Sequence, residues 1–376
     1  MIINRLLQEK IQKKMFQNKA ILVLGPRQSG KTTLIHSIER RTEKKVLYLN
    51  CDEPDIRNLL TDATSSTLKH LIGNAKIVLI DEAQRVKNIG LTMKLITDNF
   101  SHIQLIATGS SALELTDEIN EPLTGRKWEY RLLPLSTQEL VAWSGMLEER
   151  RLLNQRLLYG MYPDVIVNPA EKREILYNLT DSYLYKDIFA FKEIRKPEVI
   201  EKLIEALALQ VTSEVSYSEL AQLIQVDPAT VQRYIDLLEK AFVVFRLRSF
   251  SRNVRNELKR SRKVYFYDNG VRNALISNFS PPETRVDAGA LWENFLVSER
   301  TKLLFNNQKY AKPFFWRTKQ QQEIDYIEES EGKLSAYEFK WNSSKKTRFP
   351  QTFRKAYPHH STQTITPKNY MDFLLE

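Results

Sequence analysis

The sequence is nearly without cysteine: Cys51 is the only one, so an intrachain disulfide framework and a Cys-rich zinc site are both excluded. No run approaches the roughly 18 consecutive apolar residues that a membrane-spanning helix needs. The opening residues, Met1 to Lys10, lack an apolar core and a small-residue cleavage site, so no secretory signal is expected. The five histidines, His36, His70, His102, His359 and His360, show no metal-ligand spacing. Internal repeats and extended low-complexity tracts are missing too. A soluble, cytoplasmic protein with no membrane partner is the expectation.

What is present is a chain of 376 residues, enough for two or three domains at roughly 150 residues each. Its hydrophobic share of 42% can fill real cores, which excludes a wholly disordered protein. Lys and Arg number 56 against 46 Asp and Glu, a formal charge of +10 that permits but does not demand a nucleic-acid partner.

Five short apolar runs, Ala20–Leu24, Val46–Asn50, Ile77–Ile80, Ile103–Ala107 and Trp128–Leu132, alternate with helical stretches. The first four are almost continuously apolar, as strands buried on both faces of a parallel sheet must be. That alternation predicts a wound α/β domain. An amphipathic helix over residues 1–18 precedes it, carried by Ile3, Leu6, Leu7, Ile11 and Met15.

The first strand runs directly into Gly25-Pro26-Arg27-Gln28-Ser29-Gly30-Lys31-Thr32, with Thr33 continuing into a helix. This spacing of glycines, lysine and threonine between strand and helix fits a phosphate-binding loop. Its backbone N–H groups can wrap phosphate oxygens, and the helix N-terminus adds partial positive charge. Lys31 is then expected on the β and γ phosphates of ATP, and Thr32 on Mg²⁺. The strand Ile77–Ile80 ends in Asp81-Glu82. Asp81 is expected to hold the Mg²⁺, and Glu82 to polarise the attacking water. At the end of the next strand Thr108 and Ser110 are candidates for sensing the γ-phosphate, with simple turn formation the alternative. Arg126 is a candidate for stabilising charge on the transferring phosphate, in cis or from a neighbouring copy in a homo-oligomer, against an ordinary surface arginine.

Further on, Ser216 to Glu219 has capping-box spacing, and Asp227-Pro228 reads as N-cap and first helical residue of a second helix. This predicts a helix-turn-helix, with Val231, Tyr234, Ile235 and Leu238 facing inward. The segment after it is rich in cations. Arg233, Arg246, Arg248, Arg252 and Arg255 are the candidate DNA contacts; a lid or a protein-contact module is the alternative. Near the C-terminus, Glu338 and Lys340 lie two residues apart and share one face of a strand, where Asp325 and the helical Glu293 can join them. Two carboxylates and a lysine can hold Mg²⁺ against a phosphodiester, or simply line a wet sheet face.

The ordered set of Gly25–Thr33, Leu79–Gln84, Thr108–Ser111, Leu123–Arg126, Leu133–Ser136 with Glu139-Leu140, Gly160–Pro163, Tyr183–Asp187, Lys263–Asp268 and Glu338–Lys340 resembles prokaryotic AAA-type ATPases with a C-terminal winged helix and a restriction-endonuclease-like domain. The resemblance implies an N-terminal P-loop parallel sheet with strand order 5-1-4-3-2. A central winged helix and a C-terminal PD-(D/E)XK nuclease-like α/β domain follow, with Glu293, Asp325, Glu338 and Lys340 in the nuclease positions. Ile324 stands where the nuclease signature has proline. The expected division is 1–145 ATPase, 146–200 helical connector, 201–270 winged helix and 271–376 nuclease-like. The expected function is a Mg-ATP hydrolase coupled to DNA binding. The alternatives are an ATP-gated nuclease and a DNA-binding regulator that does not hydrolyse.

Overall fold

A computed structural model describes residues 3–110, 122–184, 188, 196–251, 262–344 and 347–376. The chain divides into two compact units: residues 1–135 with 240–242, and residues 136–239 with 243–376.

The first unit is a five-stranded sheet in the order β2-β3-β4-β1-β5, all parallel. The strands are β1 Ala20–Leu24, β2 Val46–Asn50, β3 Ile77–Asp81, β4 Gln104–Gly109 and β5 Lys127–Arg131. Read from the other edge, this is the order 5-1-4-3-2 that the resemblance implies. Every residue of β1, β3 and β4 is buried, which is why their sequences are continuous rather than alternating. Two helices cover one face. α1, Leu6–Lys14, contributes Leu7 and Ile11, and α2, Lys31–Arg40, contributes Leu34, Ile35 and Ile38 to a core shared with Ile21, Val23, Leu79 and Ile106. The expected N-terminal helix is therefore real but shorter than residues 1–18.

The second unit holds a seven-stranded mixed sheet in the order β12-β11-β10-β9-β7-β8-β6. Its strands are β6 Glu214–Val215, β7 Val244–Ser249, β8 Arg262–Phe266, β9 Lys312–Arg317, β10 Glu323–Ser330, β11 Lys333–Phe339 and β12 His360–Ile365. The strands expected in the central and C-terminal segments thus join one sheet. The link is parallel pairing of Arg248 and Ser249 with Phe314 and Phe315. Helices Tyr217–Ile224 and Pro228–Lys240 stand where the helix-turn-helix was predicted, with Gln225 in the left-handed region between them. The Asp227 carboxylate accepts from Thr230 N at 2.9 Å and from Thr230 Oγ1 at 2.7 Å, an N-cap as the sequence implied.

The helix Ala288–Asn307 is buried on nearly all sides. It buries charge only in pairs: Lys302 with Glu299 at 2.6 Å, and Arg300 with Glu328 of β10 at 2.7 Å. Asn294 clamps Phe266 of β8, accepting from its N–H and donating to its C=O. Two motifs that are far apart in sequence meet here. Asp268 Oδ2 accepts from Met161 N at 2.7 Å, and a Cβ on Gly160 (φ +67°) would stand 1.9 Å from Asp268 Oδ1. Gly160–Pro163 and Lys263–Asp268 are therefore explained by packing.

Candidate functional site

The phosphate loop leaves β1 at Gly25, whose N–H bonds to Gly109 O at 3.2 Å. A Cβ there would lie 2.1 Å from Leu132 O, so only glycine lets the loop start so close to β5. Gln28 (φ 58°) and Gly30 (φ 92°) turn the chain through left-handed conformations before α2 begins at Lys31. Lys31 is buried, and its Nζ donates to Gly25 O and Pro26 O at 2.9 Å each. The Ser29 side chain is fully buried, and its Oγ has no partner. Arg5, just before α1, braces the loop from behind by donating to Ser29 O at 2.6 Å and to Leu133 O at 2.7 Å. Arg27 and Thr33 belong to the same loop and first helical turn, Thr33 exposed beside the exposed Thr32.

The acidic tip of β3 meets this loop. Thr32 Oγ1 donates to Asp81 Oδ2 at 2.8 Å, and Tyr48 of β2 donates its phenol to the same oxygen at 3.0 Å. Thr108 Oγ1 donates to Asp81 Oδ1. Burial and then the Asp81 charge hold the Tyr48 phenol above its usual range, so it stays protonated and remains a donor. Cys51, fully buried beside this carboxylate, is pushed up to about 12, mainly by burial, and is an inert thiol. Glu82 sits at φ 53°, with its N–H shared between Asp81 Oδ1 (3.2 Å) and Thr108 Oγ1 (3.1 Å). Its carboxylate is held by Gln84 Nε2, which also donates to Ser110 Oγ at 2.9 Å.

Loop, Thr32, Asp81, Glu82, Thr108 and Ser110 thus converge at the C-terminal ends of β1, β3 and β4. Arg126 does not. It precedes β5, whose Lys127 pairs with Ala20 at the start of β1, and its own C=O accepts from Ala20 N. That is the opposite end of the sheet, one strand length of about 16 Å away. Its Nε pairs with Asp98 at 2.7 Å. Of the alternatives for Arg126, service to this site in cis does not fit the parallel register. Ser111 lies outside the described residues.

In the second unit, Glu293, Asp325, Glu338 and Lys340 are brought together, along with three residues that the spacing did not reveal, Lys263, Tyr265 and Glu323. Lys340 Nζ lies 2.7 Å from Glu338 and 3.7 Å from Asp325. Asp325 also accepts from Phe339 N at 2.7 Å, at the point where a bulge between Ile324 and Ile327 breaks the register of β10. Lys263 of β8, nearly buried, reaches Glu293 at 3.1 Å and Glu323 at 2.5 Å. Tyr265 donates to Glu293 at 2.7 Å. Burial pushes Glu293 up to about 7 despite the opposing pull of Lys263. Glu338 is likewise pushed to about 7, by burial and the nearby Asp325. Among the described residues, no group of three or more His, Cys, Asp or Glu side chains is arranged to hold a metal ion.

Of the candidate DNA contacts, Arg233 and Arg248 are exposed. Arg246 is committed elsewhere: its guanidinium bonds to Asp236 at 2.5 Å, to Glu239 and to Tyr217. Arg252 and Arg255 lie outside the described residues.

Residues 17–141 match the AAA domain family, so this segment is similar to P-loop ATPases. Residues 150–282 and 288–371 match two domain families of unknown function, DUF8612 and DUF4143. Uncharacterized proteins of Methanocaldococcus jannaschii (MJ1544) and Mycobacterium tuberculosis (Rv2008c) are similar along most of their length. The first is 25% identical, over 94% of this chain and 81% of the relative. The second is 26% identical, over 89% of this chain and 73% of the relative. Among solved structures, the Walker-type ATPase PABY2304 of Pyrococcus abyssi aligns over 73% of this chain and 96% of its own, with TM-score 0.49 and 17% identity. No helix among the described residues is long and apolar enough to cross a membrane.

Proposed function

We propose that the first unit binds Mg·ATP and hydrolyses it, and that the cationic region of the second unit couples this to DNA. The observation that carries the reading is the meeting of Thr32 and Thr108 on the two oxygens of Asp81, directly beside a glycine-turned loop. The donor set suits the group: a hydroxyl and a carboxylate oxygen 2.8 Å apart for a hard cation, and a buried, unpartnered Ser29 Oγ in the loop. Thr32 and Asp81 would hold the Mg²⁺, which when bound neutralises developing phosphate charge. Lys31 leaves the Gly25 and Pro26 carbonyls for phosphate oxygens. Glu82 takes a proton from the attacking water, and Thr108 fixes the Asp81 carboxylate through its hydroxyl. If Arg126 contributes, it does so from a second copy of the chain.

The deciding measurement is steady-state ATP hydrolysis by the parent, Lys31→Ala and Glu82→Gln. Loss of a general base costs about 10²–10⁴ in rate. Glu82→Gln should fall that far while still binding nucleotide, and equal rates in all three overturn the reading. DNA that leaves the rate unchanged overturns the coupling. A nucleotide-binding chain with no turnover supports the non-hydrolysing regulator instead.

An ATP-gated nuclease is the second reading, favoured by the convergence of Glu293, Asp325, Glu338 and Lys340. Lys263 weighs against it, because its ammonium already neutralises Glu293 and Glu323. Mg²⁺- or Mn²⁺-dependent DNA cleavage that is lost in Glu338→Ala would favour the nuclease. The four-part division at 145, 200 and 270 stands as part of this proposal.

A further inference from the structure

The side chain of Gln84 is a polar group at the proposed nucleotide site that no role above uses, and its contacts are specific. It lies in the short turn after β3, two residues beyond Glu82. Its single amide nitrogen donates to Glu82 Oε2 and to Ser110 Oγ, while its Oε1 is buried without a partner. An amide suits this arrangement because one nitrogen carries two protons, enough to serve a carboxylate and a hydroxyl at once. Buried polar atoms are nearly always partnered, so the orphaned Oε1 indicates that the orientation is set by the two donations.

We infer that Gln84 is a positioning residue that links Ser110 to the carboxylate of Glu82. The inference rests on the hydrolytic reading above. With its lone pair taken by Gln84, Ser110 keeps its own proton to donate. An anionic oxygen accepting that proton strengthens the Gln84–Ser110 bond through the shared hydroxyl. Gln84 thereby senses an occupied site and transmits it to Glu82. Holding Oε2 leaves Oε1 of the same carboxylate to accept a proton from water. Glu82 itself stands at φ 53°, a left-handed backbone position that neighbouring contacts must sustain, and its N–H is already fixed by Asp81 and Thr108. The backbone is thus pinned from one side and the carboxylate from the other.

Two variants of the full chain separate positioning from packing. Gln84→Glu keeps the shape but replaces the donor with a second acceptor. Gln84→Met keeps the bulk without polarity. Positioning predicts a fall in kcat of about tenfold or more in both, with KM for ATP changed less than about twofold. Parental kcat in either variant, or a loss shared equally by kcat and binding of ATP, overturns the inference.

A second readout needs no turnover. In nucleotide-free protein, Gln84→Glu lowers the melting temperature, and the swap Glu82→Gln with Gln84→Glu restores an amide–carboxylate pair. The swap should melt above the sum of the two single effects while remaining catalytically dead. A merely additive swap overturns the contact and the inference with it. A parent chain that turns over no ATP overturns the hydrolytic reading and the positioning role together, and the swap still decides the contact by itself.

Discussion

The ammonium of Lys263 lies 3.1 Å from Glu293 and 2.5 Å from Glu323, at the centre of the late carboxylate cluster. Burial pulls the pKa of this lysine down, yet the charges of Glu293, Glu323 and Asp325 hold it above the usual range. Lys263→Met leaves those carboxylates without their counter-ion. Removing one partner of a buried pair costs about 3–5 kcal/mol. Urea unfolding should show a loss of that order, and Lys263→Met with Glu293→Gln should recover part of it. A single variant as stable as the parent would mean the pair is spectator charge.

The same cluster gives a pH signature. Glu293 and Glu338 have folded pKa values raised from 4.5 to about 7. Between those values the folded chain binds more protons than the unfolded one, so stability falls as pH rises through that window. Melting temperature should therefore decline from pH 4.5 to about 7, to the extent these two groups dominate, and then level off. Glu293→Gln and Glu338→Gln should each flatten the slope. A parental slope in both variants would place the titration elsewhere.

Gly160→Ala should be among the most disruptive single changes in the second unit. The new methyl group meets Asp268 Oδ1 at 1.9 Å, and the backbone stands at φ +67°. Asp268 cannot retreat without giving up bonds to Met161, Gly270 and Val271 N–H groups. We expect a loss above about 3 kcal/mol, combining left-handed backbone strain with broken buried hydrogen bonds. Chemical denaturation checks it.

The arginines of the second unit should separate into two kinds. Arg233 and Arg248 are exposed, so their replacement by alanine should weaken DNA retention uniformly across sequences. Each should lower the salt slope by about one. Arg246→Ala should instead cost stability, since Asp236, Glu239 and Tyr217 lose their shared donor. Fluorescence anisotropy across a salt series distinguishes the two outcomes.

The parts legible in the sequence are those written in local spacing. β1 and β2 coincide with their expected bounds; β1 is buried throughout and so carries an unbroken apolar signal, whereas β2 is buried only at Leu49 and is marked by its short apolar run alone. The Asp227 cap and the phosphate loop were readable for the same reason: their chemistry lies within a few residues. Tyr48, Gln84, Arg5 and Lys263 were not. Each acts through a partner chosen by the tertiary fold, as when Arg5 bonds across 128 positions to Leu133. Arg126 stays open between cis and trans in the sequence because residue order does not say at which end of a parallel sheet a residue enters. Arg246 looked like one more cation, since spacing does not show the acids that face it.

One plate of hydrogen-bonded backbone runs from β12 through β9 and β7 to β6. A protein fragment cut near residue 270 would strip β7 of its neighbour and bare an unpaired sheet rim, an invitation to self-association. Dissecting this chain into separately expressed halves is therefore better attempted near residue 135, which parts the two compact units except for residues 240–242.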